Sequence, residues 1–168
     1  RGCGSEAAVT AFLERLPAVA WEQSILPARI AGYQPGWLDQ QCLSGHLVWG
    51  RLAVPATNSP RSQAFRHTPI SLVFRQHLSQ WLELSKSVSA ELMSAEALRL
   101  LEVMQARGAS FFSELLSATG LLRTQLENAL SELVARGLVS SDSFSGLRAL
   151  LVPSAKRPSL RQRGRRRM

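Results

Sequence analysis

The strongest constraint on the fold lies in residues 92–152, where three apolar-striped runs are punctuated by glycines. The spacing predicts a helix over about Ala95–Arg107, with Leu98, Leu101, and Met104 or Gln105 marking its inner stripe and Gly108 its stop. A second helix is predicted over about Phe111–Ala118, capped by Ser110, with Phe112, Leu115 and Leu116 inward and Gly120 at its end. A third is predicted over about Arg123–Arg136. Leu122, Leu126, Ala129, Leu130, Leu133 and Val134 form its apolar face, and Gly137 is its stop. Leu138-Val139-Ser140 then reads as the start of a short strand. The run from Ser143 to Leu151 fits either a returning strand or a helix capped by Ser143. The helical spacing of Phe144, Leu147 and Leu151 favours the helix.

Three helices of this length, a tight glycine turn between the second and third, and a strand straight after form a winged-helix pattern. The preceding stretch is less regular. Glu6–Leu16 reads as a short helix with Ser5 as its cap and Pro17 as its end, followed by an ambiguous run from Trp21 to Gly32. A helix over Pro35–Leu43 is closed by Gly45. Strands are expected at His46–Val54 and Ile70–Arg75, joined as a hairpin through a Pro-rich loop, with a helical turn or two at Leu78–Leu84. The stretch Leu38…Cys42…Gly45-His46-Leu47 echoes Leu130…Val134…Gly137-Leu138-Val139 at an offset of 92. The first half is therefore either the end of another winged helix or part of a small sheet. The expected class is α+β, mainly helical. The expected division is an N-terminal helix segment (1–20), a helix-hairpin unit (21–90), a winged-helix domain (91–152) and a basic linker or tail without fixed structure (153–168).

Charge sharpens the function. The chain carries 20 Lys+Arg against 12 Asp+Glu, a net charge of +8. Seven of the basic residues (Lys156, Arg157, Arg161, Arg163, Arg165, Arg166 and Arg167) fall in the last thirteen positions, with no acid among them. The body of residues 1–155 is left at net +1. The tail has the composition of a disordered phosphate binder, or of a solvated linker. The outward positions of the third helix are Arg123, Thr124, Gln125, Glu127, Asn128, Ser131, Glu132 and Arg136, two basic and two acidic. Duplex binding draws most of its affinity from neutralised phosphates, so this face is a poor groove reader. Arg123, Thr124, Gln125 and Asn128 remain the candidates for touching a strand, together with the seven tail residues.

Other chemistry is sparse. The 168 residues contain no G-x-x-x-x-G-K-[ST] loop and no Ser/His/Asp or Cys/His arrangement. Cys42 and His46 lie four apart, with His67 and His77 further on, but they lack zinc-ligand spacing. No metal or cofactor is expected. Two cysteines, Cys3 and Cys42, make no disulfide framework. Asp39 reads as a helix-surface or salt-bridge residue, and Asp142 as a turn or cap. Trp21, Trp37, Trp49 and Trp81 are read first as core and second as stacking platforms. No run is long enough to span a membrane. The opening Arg1-Gly2-Cys3-Gly4 is neither an initiator Met nor a signal peptide, which reads as a piece of something longer or an incomplete open reading frame.

Three blocks of residues carry a family likeness. Trp21-Glu22, Ile25-Leu26-Pro27-Ala28-Arg29-Ile30, Tyr33, Pro35, Trp37-Leu38-Asp39, Cys42, Ser44-Gly45 and Val48-Trp49-Gly50-Arg51-Leu52 resemble a segment of the bacterial large helicase-related (Lhr) proteins. So do Thr68-Pro69-Ile70-Ser71-Leu72-Val73 and the later run Phe111-Phe112…Gly120…Leu133-Val134…Gly137-Leu138-Val139…Asp142-Ser143-Phe144…Leu147-Arg148-Ala149-Leu150. The likeness covers about residues 20–152. One departure is His46, where members usually carry an acid after the Ser-Gly pair.

The resemblance implies a long superfamily-2 helicase that is ATP-driven and moves 3′ to 5′ on single-stranded DNA. ATP and Mg would sit in motor domains elsewhere, and this piece would lie beyond the motor, among tandem winged helices. It further implies a bacterial cytoplasmic protein linked to DNA repair. The expected partners are single-stranded DNA, the remaining domains of the parent and a possible second copy. The alternatives are a stand-alone winged-helix regulator and a DNA glycosylase-like module.

Overall fold

The computed structural model describes residues 16–51, 65–84 and 93–152. The expected helix at 6–15, the Pro-rich loop at 52–64 and the basic tail lie outside them. The class is the expected one, α+β and mainly helical, with a three-stranded sheet.

The first unit begins with β1 (Leu16–Pro17), so Leu16 belongs to a strand and not to the end of a helix. The ambiguous run resolves into a π-helical turn, Trp21–Ile25, leading into α1 (Leu26–Arg29). The next helix, α2 (Pro35–Leu43), forms where the proline pre-sets its first turn. Gly45, at φ 78°, then reverses the chain in a conformation that favours glycine.

After this come β2 (Leu47–Gly50) and β3 (Pro69–Phe74), antiparallel, with Leu47 opposite Phe74 and Gly50 opposite Ser71. The expected hairpin is present, but β2 stops at Gly50. β1 pairs with the other edge of β3, Leu16 opposite Ile70, giving the order β1-β3-β2. β3 is central, and Ile70–Val73 are all buried, as a strand covered on both faces must be. Trp21 fixes the π-helical turn to it by donating its indole N–H to the Ile70 carbonyl at 2.9 Å. A 3₁₀ turn and α3 (Leu78–Leu84) follow.

The second unit is α4 (Ala95–Arg107), α5 (Phe112–Thr119), α6 (Arg123–Ala135) and α7 (Phe144–Leu151). The three predicted helices lie within a residue of their expected bounds. On α5 the inner stripe is the expected Phe112, Leu115 and Leu116, and on the other two helices only single positions shift. On α4 it is Ala97 and Leu100 that are fully buried, while Leu98 is exposed and Gln105 faces solvent. Leu122 is not on the α6 core face. It is the exposed N-cap residue, and its N–H donates to the Gln125 side chain at 2.9 Å. Phe111, not Ser110, precedes the first residue of α5, and its N–H donates to Glu114 Oε2 at 2.7 Å.

The expected strand at Leu138–Ser140 is absent. Gly137, at φ 73°, closes α6 with paired bonds from Gly137 N to Val134 O and from Leu138 N to Leu133 O. The chain then meets β2 through side chains instead of a ladder. Ser140 Oγ donates to the Trp49 carbonyl, and the Trp49 indole donates to the Ser143 carbonyl at 3.0 Å. Residues 144–151 take the helical alternative.

Two apolar clusters result. One holds Ala97, Leu100, Leu115, Leu126, Ala129 and Leu133. The other joins Trp21, Leu38, Cys42, Trp49, Ile70 and Leu72 of the first unit to Val134, Phe144 and Leu147 of the second. The units thus share a core. Trp49 and Phe144 meet edge to face, ring centres 6.2 Å apart.

Candidate nucleic-acid interface

The four α6 candidates, Arg123, Thr124, Gln125 and Asn128, are all exposed and lie on one helix. Two of them already have structural work. Arg123 pairs with Glu127 at 3.3 Å and lies over the Phe112 ring, 5.3 Å from its centre. The Gln125 carbonyl holds the Leu122 N–H. The outward face is smaller than the helical wheel suggests. Arg136 is only 7% exposed and is bound to Glu132 at 3.0 Å. Glu132 also accepts from Ser94 N and Ser94 Oγ, which ties it to the start of α4. Burial pushes the Glu132 carboxyl up, but the Ser94 and Arg136 hydrogen bonds outweigh that and hold it below the usual carboxylate range. The seven tail candidates, Lys156, Arg157, Arg161, Arg163, Arg165, Arg166 and Arg167, lie outside the described residues.

A groove of about 480 Å³ runs between α5, α6 and α7, lined among others by Phe111, Phe112, Leu130, Val139 and Leu150. Arg123 and Glu127 reach its wall. Among the described residues no three His, Cys, Asp or Glu side chains gather where a metal could be held. None of the described helices is long and apolar enough to cross a membrane.

The helix α2 carries a second exposed face, on which the sequence reads Trp37 as core first and as a stacking platform second. Leu38 and Cys42 turn inward, and burial with Asp39 nearby pushes the Cys42 thiol up to about 11. The opposite stripe, Trp37, Gln40, Gln41 and Ser44, follows i, i+3, i+4, i+7 spacing and is exposed throughout. Trp37 is 47% exposed and meets Tyr33 edge to face, centres 6.5 Å apart. At the far end His46 is exposed, with Nδ1 3.1 Å from Ser44 Oγ. The Arg75 side chain lies over Gly45 there. Of the four tryptophans, Trp21 and Trp49 are core, Trp81 is half-buried and Trp37 is the most exposed.

The acid of α2 is turned away from this stripe. Asp39 is a salt-bridge residue, as expected, but its role is larger. Its Oδ1 accepts from Ser145 N at 2.8 Å, supplying the side-chain cap for α7 that Ser143 does not make. Its Oδ2 pairs with Arg148 Nη2. Arg148 Nε lies 2.7 Å from Glu22 Oε2, and Tyr33 donates to Glu22 Oε1 at 2.8 Å. Burial and the Glu22 carboxylate together raise the Tyr33 phenol well above its usual range. Arg148, partly desolvated, is held above its ordinary value by Asp39 and Glu22. Two acids of the first unit are thereby drawn onto a cation of the second. The first unit's exposed charges are left mostly basic, with Arg29, Arg66 and Arg75 against Glu83 among the described residues.

A sheet ordered β1-β3-β2, two helical segments between β1 and β2, and a long connection from β2 to β3 define a winged-helix domain, with α2 in the recognition position. Residues 9–75 match the family model described as the winged-helix domain of large helicase-related proteins. The chain is also 32% identical over 155 residues to the "Lhr helicase/ probable uracil glycosylase" of Mycolicibacterium smegmatis. That match takes in 89% of this chain and 10% of that protein, so the chain spans about a tenth of the relative's length. The chain belongs to the large helicase-related family and carries its winged-helix domain. The matched domain is the first unit. Residues 92–152, where the sequence pattern alone predicts the winged helix, lie outside that match.

Proposed function

We propose that this chain is a non-motor module of an ATP-dependent 3′ to 5′ DNA helicase of the large helicase-related type. It lies C-terminal to the motor and is not itself an enzyme. Its work is to hold neighbouring domains in register and to contact single-stranded DNA in the cytoplasm during repair. ATP and Mg belong to the motor of the parent. One observation carries the scaffolding part: α7 clamps the recognition-position helix through Asp39, Arg148 and Glu22, and the two units share one apolar cluster. A hinge between them would break that cluster. The family membership supports the helicase part.

The test is fluorescence anisotropy of the full chain with a labelled single strand and the matching duplex at 50 and 200 mM salt. A second protein has Lys156, Arg157, Arg161, Arg163, Arg165, Arg166 and Arg167 replaced by glutamine. The expected result is preference for the single strand, a salt slope that falls in the tail variant, and residual binding by its body. Tight, sequence-specific duplex binding by the tail variant would instead establish a stand-alone regulator. The relative's printed name also includes a glycosylase, and release of free uracil by this chain alone would move the reading there.

A further inference from the structure

We infer that the exposed stripe of α2 is a base-stacking platform for single-stranded nucleic acid, centred on Trp37. This deepens the proposed nucleic-acid contact and rests on it. Three observations converge. The stripe presents one large π-face, two amides and a hydroxyl at successive helical positions, all exposed. The only acid of α2, Asp39, is committed to Arg148 and the start of α7, so no carboxylate of the helix opposes a phosphate. Where the stripe ends, Arg75 folds over Gly45 beside exposed His46, and the two are joined by the bond from Arg75 N to His46 O at 2.9 Å.

A flat aromatic surface in the first turn of the helix and one strong cation past its last turn match a strand whose bases are unpaired and whose phosphates run along the helix. A duplex hides its base faces and would offer Trp37 nothing to stack on. The α6 face differs on each count, because its arginine is paired with Glu127 and its glutamine caps the helix. Trp37 lies outside both buried clusters, so changing it leaves the core intact.

The test uses the full chain and a labelled oligothymidylate of twelve nucleotides. Binding should quench tryptophan emission strongly in the wild type and much less in Trp37→Ala, because Trp21 and Trp49 are buried and Trp81 is half-buried. Affinity should fall roughly 5- to 150-fold in Trp37→Ala, as for loss of one stacked base. Trp37→Phe should recover part of the loss, and Arg75→Ala should lower the salt slope by about one unit. Urea midpoints equal to wild type show that the variants fold. If the wild type binds and Trp37→Ala binds within twofold of it, the platform is refuted while the nucleic-acid reading stands. A loss that phenylalanine does not restore at all refutes stacking. Failure of the wild type to bind any single strand overturns both.

Discussion

Gly137→Ala separates the docking of the two units from the folding of either. Gly137 sits at φ 73°, where an L residue costs about 1 kcal/mol or slightly more. A Cβ there would also overlap the Arg51 carbonyl oxygen, and the Arg51 carbonyl carbon would be 3.5 Å away. The obstacle is backbone, not the end of a flexible side chain. Arg51 is itself anchored, with Nη1 donating to the Ala135 carbonyl. Relief requires the 137–141 segment to move off β2, which strains the bonds joining Trp49 to Ser140 and Ser143. Overpacking of this kind costs about 1–3 kcal/mol, for a total of about 2–4 kcal/mol. Gly120→Ala is the control. It has φ 63°, also ends a helix, and would meet only Arg99 Nη2 at 3.9 Å. It should lose about 1 kcal/mol, the conformational part alone. For a domain of this size the two correspond to roughly 2–4 °C for Gly120→Ala and about 4–16 °C for Gly137→Ala in thermal unfolding. Equal losses in the two variants would refute the docking of the 137–141 segment on the first unit.

The clamp makes two further predictions. In urea titrations Asp39→Ala should lose about 1–3 kcal/mol, since it removes a helix cap and a charge-assisted bond together. A double-mutant cycle with Arg148→Ala should show coupling of about 0.5 kcal/mol or more, and additive losses would mean that the two side chains do not meet. Glu132 makes stability depend on acid. Its folded carboxyl sits below the ordinary value of 4.5, so its contribution is present above about that pH and fades as pH falls through the folded value. The stability gap between wild type and Glu132→Gln should therefore be wide at pH 7 and narrower at pH 3. A gap that widens in acid would reverse the sign and defeat the assignment.

What was legible in the sequence is what local physics decides. The glycines at 108, 120 and 137 all adopt positive φ and end helices where the apolar stripes stop. Pro35 and Gly45 bracket α2 for the same reasons. The echo between 38–47 and 130–139 is real at the level of a buried stripe and a positive-φ glycine. It fails only afterwards, where β2 forms and residues 138–140 do not. That difference is not local, because β2 finds β3 as a partner and 138–140 finds the edge of β2 already met by side chains. The two-residue β1 exists only because Ile70 and Pro69 lie opposite it. The cap on α7 comes from Asp39, 106 residues away, and no window on the sequence contains both. The interface residues suffered most. A helical wheel places Arg136 and Gln125 on the outward face of α6, yet Arg136 is buried and Gln125 is spent on the backbone. The sequence reads Trp37 as core first, because composition does not distinguish an aromatic facing in from one facing out.

The charge pattern gives the two units different physical roles, and the roles can be separated by salt. Charges on α6 are consumed inside the second unit: Glu132 on Ser94, Arg136 on Glu132, Arg123 on Glu127. Arg148 extends the same logic across the interface by taking Glu22 and Asp39. The second unit therefore braces, and the first presents an acid-free stripe. On the proposed function, affinity for a single strand would have two independent sources. The tail would contribute through counterion release, which falls steeply with salt. Trp37 would contribute through ring stacking, which releases no counterions. The ratio of wild-type to Trp37→Ala affinity should thus be the same at 50 and 200 mM salt. The ratio of wild type to the seven-glutamine tail variant should collapse over that range. A Trp37→Ala ratio that shrinks in parallel with the tail's would mean that the ring only lies near a phosphate track, and the stacking assignment would fall.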